Sequence, residues 1–200
     1  MSTWVNHPLS LLGETVNLLP MERAHFAELE ALAREQRIWQ HYAYDLSDPV
    51  RLHQILEGAM LEREQGTQYP FVIQDRSAQA LIGSTRLMDM WPKHRKLEIG
   101  FTWLHPDYWG TAINLECKLL LLTYCFESLQ TVRVQLKTDE QNIRSRKAIE
   151  KIGGRFEGIF RNDMIRDNGT HRHSAYYSII DTEWPEAKRQ LSSKLQHFPR

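Results

Sequence analysis

Apolar positions along this chain recur with two periods, and the alternation between those periods lays out a series of strands and helices. Residues 14–19 (ETVNLL) are β-type and stop at Pro20, which predicts a first strand. Residues 21–36 are rich in helix formers and place Phe26, Leu29 and Ala33 at helical spacing. An aromatic segment follows at 38–46. Asp48 then precedes Pro49, an N-cap with proline at the first helical position, which predicts a second helix to about Glu64, ended by Gly66. Strand-like runs occupy 71–75, 80–88 and 95–104. In the last of these Leu97, Ile99, Phe101 and Trp103 alternate, and the three runs together predict an antiparallel meander.

The pattern changes after residue 104. A turn-rich loop at 105–111 (HPDYWGT) leads into a strongly apolar helix over 114–129, a strand over 132–137, a loop over 138–142 and a helix over 143–152 closed by Gly153 and Gly154. Strands are expected at 155–165 and 171–180, joined by Asp167, Asn168 and Gly169 as a hairpin turn, with a last helix over 183–195. The strand–helix–strand step between 95 and 137 implies a right-handed parallel crossover. The expected fold class is α+β: a mixed sheet, mostly antiparallel with one parallel pair, and helices on both faces. A chain of 200 residues suits a single domain over 1–200.

Composition narrows the function classes. Hydrophobic residues make up 42% and charged ones 25%, enough for a core that needs no disulfide or structural metal. Basic and acidic residues number 25 each, and no basic stripe is evident, which argues against nucleic acid as the main partner and gives no attraction to membranes. The longest purely apolar run, 119–122, is far too short to span a bilayer. Residues 1–8 lack a basic region followed by an apolar one, so a cytoplasmic location is expected. Cys117 and Cys125, eight apart on one helix, would lie ~12 Å apart, too far for a disulfide, and read as small buried hydrophobes.

The stretch 97–127 carries the candidate chemistry. It reads as a strand, a loop with small residues, then a helix N-terminus. The first N–H groups of a helix lack internal partners and sit at the positive end of its dipole, a setting that suits a diphosphate. Trp109, Gly110, Thr111 and Ala112 supply that loop. One glycine before a helix is usually only a turn, so the loop gains meaning from its flanks.

With those flanks, Asp107-Tyr108-Trp109-Gly110-Thr111-Ala112 resembles the acyl-CoA motif of the GNAT superfamily: Gln or Arg, two residues, Gly, one residue, Gly or Ala. The small positions match and Asp107 departs at the first. The run LEIGFTWLHPDYWGT, the helix KTDEQNIRSRKAIEKIGG, the late RNDMIRDNGTHRHSAYYSI and the opening GETVNLLPM look like RimJ/RimL-type protein N-acetyltransferases. The resemblance covers about residues 13–195.

The resemblance implies a GNAT fold whose two central parallel strands splay apart. The pantetheine arm of acetyl-CoA would lie in the gap against Phe101, Trp103 and Leu104. The pyrophosphate would rest on the amides of Trp109, Gly110, Thr111, Ala112 and Ile113, and Asn142 and Ser145 would contact the cofactor arm. No metal is implied.

The implied reaction is direct attack of an amine on the thioester. It needs a route for the amine proton, a donor for the oxyanion and a proton for the departing thiolate. Glu98, an acid in an otherwise apolar strand, is the candidate base, acting directly or through water; alternation equally permits an outward-facing residue or a structural ion pair. Ser145 aligns with the family serine that protonates the thiolate, although a surface serine near a helix start reads the same way. The tyrosine that many GNAT enzymes carry one turn later is Ile149 here, which makes Ser145 the better candidate acid.

Acceptor contacts are expected from Trp39, Tyr42 and Tyr44, from Trp91 in the loop before the Glu98 strand, and from Arg161, Asp163 and Tyr177 on the late hairpin. His171 and His173 alternate without a third metal ligand in view. The acceptor is expected to be a protein N-terminus or a small amine such as a polyamine, an amino acid or an aminoglycoside; zero net charge argues mildly against a strongly cationic one. A homodimer is compatible with the resemblance. The alternative is a non-catalytic acyl-CoA-binding sensor or scaffold. A nucleotide-binding domain is disfavoured, because there is no G-x-G-x-x-G, no lysine following Gly110 and no repeated βαβ unit.

Overall fold

The computed structural model describes residues 4–198. Chain order is β1 (Leu11–Leu12), β2 (Val16–Pro20), α1 (Phe26–Leu32), α2 (Pro49–Glu64), β3 (Tyr69–Asp75), β4 (Ala80–Trp91), β5 (Lys96–Leu104), α3 (Ile113–Thr123), β6 (Arg133–Asp139), α4 (Ile143–Lys151), β7 (Arg155–Ile165), β8 (His171–Ile180) and α5 (Trp184–Gln196). The strands form one eight-stranded sheet in the order β1-β2-β3-β4-β5-β6-β8-β7. Every neighbouring pair is antiparallel except β5–β6. This is the mixed α+β arrangement that the hydrophobic pattern predicts.

Helices cover both faces because each supplies an apolar stripe. Leu115, Cys117, Leu121 and Leu122 of α3 pack with Trp184, Ala187 and Leu191 of α5 against one face. Phe26 and Leu29 of α1 pack with Leu52, Leu56 and Met60 of α2 against the other. Both cysteines are free and fully buried. No helix among the described residues is long and apolar enough to cross a membrane.

Local signals explain most element ends. Asp48 Oδ1 accepts from Val50 N at 2.9 Å and starts α2 as its N-cap. Gly66, at φ +74°, takes the left-handed turn beyond it. In the β7–β8 turn Gly169 has φ +79°, and Asp167 is held by two 2.8 Å bonds from Arg51 of α2.

Four elements differ from the sequence pattern. The helix expected over 21–36 is a 3-10 turn, Arg23–His25, followed by the seven-residue α1. It stops early because the chain folds back so that Trp39 Nε1 donates to Ala33 O at 2.7 Å. Strand β4 runs on to Trp91, which pairs with Lys96. The apolar helix widens into a π-helical turn at Tyr124–Ser128. The two-residue β1 carries too short a pattern to be read from sequence.

Candidate active site

The parallel pairing of β5 and β6 is brief. It joins Lys96, Leu97 and Glu98 to Arg133, Val134 and Gln135 and then stops, although β5 continues to Leu104 and β6 to Asp139. Beyond Glu98 the two strands therefore part. A bulge reinforces the divergence: the β4–β5 register shifts between Ser84 and Arg86, and Phe101 sits at φ +48°, a left-handed conformation that L residues rarely adopt. The opening is a cavity of about 680 Å³, walled by β5, β6, the start of α3, α4 and the residues around α2. That size falls within the range of ligand sites.

Glu98 stands where the strands part and is 1% exposed. Its Oε2 accepts from Gln135 Nε2 at 2.8 Å and lies 3.4 Å from Lys137 Nζ. Burial pushes its carboxyl above the usual glutamate range, and Lys137 and Gln135 offset part of that rise. The outward-facing orientation that strand alternation also permitted is not the one adopted.

The loop at the α3 N-terminus borders the same cavity. Gly110 has φ +78° with open space where a Cβ would stand. Ala112 occupies the N-cap position of α3 and provides no side-chain cap. Arg144, on the first turn of α4, lies 3.5 Å over the Trp109 ring, so α4 and the loop are clamped with a positive charge beside the helix start. Asn142 caps α4 by accepting from Ser145 N at 3.0 Å. These groups together offer oriented main-chain donors and cations to an anion.

Glu98, Phe101, Trp103, Leu104, Trp109, Gly110, Thr111, Asn142, Ser145, Tyr42 and Tyr44 all border this one cavity. The remaining candidates lie elsewhere. Ala112 and Ile113 do not line it: Ile113 turns into the core at 8% exposure, which leaves only their main chains on the loop side. Trp39 is buried behind the wall, packed against Tyr42 and Trp103. Trp91 ends β4, 56% exposed, near Lys96 rather than at the cleft, because β4 is longer than its pattern suggested.

The candidates on the late hairpin also fall outside. Arg161 is exposed at the irregular stretch of β7. Tyr177 is fully buried on the β8 face under α4, where its hydroxyl donates to Glu150 and accepts from Arg146 Nε. Asp163 accepts from the Tyr176 hydroxyl at 3.2 Å. A pattern of two-residue alternation cannot say which face of a hairpin meets the cleft, and here the hairpin reaches it through Met164 of β7 and Arg172 of β8.

Several residues on the cavity wall went unnoticed in the sequence: Arg86, Lys118, Lys137, Arg144 and Arg172. The signal for Lys118 was available, since it stands within a strongly apolar helix. Lys118 is 6% exposed and donates to Thr102 Oγ1 at 2.7 Å; burial pulls its ammonium down to about 8.

A splayed parallel pair thus holds a buried acid where it opens and a helix N-terminus at its rim. Residues 15–155 match the acetyltransferase (GNAT) domain family, and the chain belongs to that family. It is 35% identical over 109 residues to YdaF of Bacillus subtilis (strain 168), whose name proposes a ribosomal N-acetyltransferase; that alignment covers 54% of this chain and 58% of YdaF, so the chain spans little more than half of that relative. Among solved structures it superposes on a GCN5-related N-acetyltransferase from Brucella melitensis with a TM-score of 0.85 at 26% identity, covering 95% of this chain and 86% of the other. Mycobacterium smegmatis RimJ, solved with CoA-disulfide, shares the fold with a TM-score of 0.79 at 21% identity over 94% and 95% of the two chains.

Proposed function

We propose that the protein transfers the acetyl group of acetyl-CoA to a primary amine, either a protein N-terminus or a small molecule, with Glu98 as the base. The observation that carries this reading is the placement of a buried carboxylate of raised basicity where β5 and β6 part, on the same cavity as the uncapped start of α3.

The diphosphate would lie on the main chain from Trp109 to Ile113, beside Arg144. The pantetheine arm would run along Phe101, Trp103 and Leu104, whose strand has lost its β6 partner, with Asn142 and Ser145 on the other side. The amine nitrogen attacks the thioester carbonyl carbon and forms the C–N bond. Main-chain donors at the Phe101–Thr102 bulge face the oxyanion. Glu98 takes the ammonium proton, directly or through water. The C–S bond then breaks, and Ser145 relays a proton from solvent to the thiolate. A base placed in this way contributes roughly 10²–10⁴-fold. Tyr42 forms part of the acceptor wall. A cytoplasmic setting suits the two free, buried thiols.

The test is thiol release from acetyl-CoA with a panel of amines, together with calorimetry of CoA binding. Turnover that falls about 100-fold in Glu98→Gln while CoA affinity persists supports the assignment. Tight CoA binding with no turnover on any amine would instead identify a sensor or scaffold.

A further inference from the structure

The chemistry above leaves a deeply buried cation of the cavity without a task. Arg86 projects from the middle of β4 and is 5% exposed. Its guanidinium carbon lies 4.3 Å from the centroid of the Phe101 ring. Its hydrogen bond to protein is a long one, Nη1 to Gln68 Oε1 at 3.3 Å, while Nε and Nη2 are buried with no partner. Glu62 of α2 acts on it only across space. Arg172 of β8 repeats the pattern on the same cavity: it is 8% exposed, its Nη1 meets the Met164 sulfur at 3.6 Å, and its Nε, 3.9 Å from Asp139, makes no hydrogen bond.

A guanidinium stays protonated at neutral pH, and a buried one without a partner destabilises the fold strongly. Buried donors are nearly always satisfied, so orphaned ones at a cavity wall point to an acceptor that arrives with a ligand. The cavity as a whole has the matching sign. Seven Lys and Arg side chains line it against two carboxylates, Glu62 and Glu98.

The position of Arg86 is equally specific. Across the β4–β5 ladder Arg86 pairs with Gly100 and Met88 pairs with Glu98, so all four stand on one face of the sheet. Arg86 and Glu98 are diagonal neighbours on that face, with Cα atoms about 7–8 Å apart. Gly100 keeps the floor between them open: a Cβ there would stand 2.7 Å from Glu98 Oε1 and 2.9 Å from Met88 Sδ.

We propose that Arg86 is a carboxylate-recognition site, and that the amine acetylated by this protein carries a carboxylate a few bonds from its reacting nitrogen. The inference rests on the acetyl-transfer reading. The nitrogen lies at Glu98 while the guanidinium of Arg86 turns its shielded, unpartnered Nε and Nη2 donors towards the carboxylate as a fork, the geometry that guanidinium and carboxylate share. The carboxylate belongs either to a free amino acid or to an acidic side chain next to a peptide N-terminus.

The test compares kcat/KM, by thiol release, for matched acceptors with and without the charge. One arm sets glycine, β-alanine and serine against their amides. The other sets peptides beginning Ser-Asp or Ser-Glu against those beginning Ser-Asn or Ser-Gln, and the arm that shows the preference names the source. The carboxylated member of the preferred pairs is expected to win by about 10- to 100-fold, as for a hydrogen-bonded charge. In Arg86→Gln that ratio collapses towards one, and Arg86→Lys retains part of it. Ratios near one in every wild-type pair, with acetyl transfer proceeding, overturn the carboxylate assignment and leave the acetyltransferase standing. If Arg86→Gln does not fold, the wild-type ratios and Arg86→Lys still decide. If no amine is turned over, the activity reading itself fails; calorimetry of N-acetylserine against N-acetylserinamide on the CoA-loaded protein then tests Arg86 separately, and equal or absent binding overturns it.

Discussion

The ammonium of Lys118 lies 2.7 Å from the hydroxyl of Thr102, the residue after the left-handed Phe101 in β5. The same hydroxyl is 2.7 Å from Thr85 Oγ1, and the Thr102 carbonyl accepts from Tyr42 at 2.8 Å. The bulge that opens the cleft is thus pinned from α3 on one side and from the aromatic segment on the other. Its shape is held by buried polar contacts rather than by strand pairing.

Lys118 makes this contact without a carboxylate partner, so its charge weighs against the fold. With the folded value near 8 and the unfolded one at 10.5, the unfolded chain binds more protons between those values, and stability rises with pH across that window. Below pH 8 the penalty is about 3 kcal/mol. Lys118→Met is expected to raise the melting temperature at pH 7, with the advantage shrinking as pH climbs from 8 towards 10.5. A variant that melts lower at pH 7, or an advantage that does not change with pH, contradicts this account.

The raised carboxyl of Glu98 should be visible in kinetics. The acid limb of kcat/KM is expected above the ordinary glutamate value of about 4.3. Lys137 holds Glu98 down, so Lys137→Met moves that limb upward, and Glu98→Gln abolishes it. A limb that stays in place in Lys137→Met would show that another group governs it.

Arg144 and Gly110 act at the anion end. Arg144→Ala is expected to raise the KM for acetyl-CoA about 10-fold with little change in kcat, since it removes binding remote from the reacting atoms. Gly110→Ala meets no steric block but must hold a positive φ, at a cost of about 1–2 kcal/mol. Denaturant titration measures that cost; a fall in kcat alone in Arg144→Ala would place the residue at the chemistry instead.

Tyr42→Phe keeps the packing against Trp39 and Phe101 and leaves the Thr102 carbonyl without its donor. The expected loss is about 1–2 kcal/mol of stability, with a lower kcat as the bulge relaxes. Unaltered stability would mean that water replaces the phenol.

The order of strands and helices, the parallel crossover and the loop at Gly110 were legible in the sequence because they are local. Two- and four-residue periodicity, the Asp48–Pro49 start and the Asp167–Gly169 turn act within a few residues of where they are written. Glu98 was legible as an acid in an apolar strand, and only the fold decided that it faces inward beside Gln135 and Lys137. The same limit applies to Trp91, Arg161 and Tyr177, which do not line the cavity, since spacing along a strand leaves open which face meets the cleft and how far the strand continues. Arg86, Lys118 and Arg172 come together from β4, α3 and β8, and no segment of sequence contains that meeting. Local pattern dictated the elements because backbone hydrogen bonding and side-chain period are short-range. The charge of the cleft was decided by tertiary packing, because it is a sum over residues that become neighbours only once the sheet has closed.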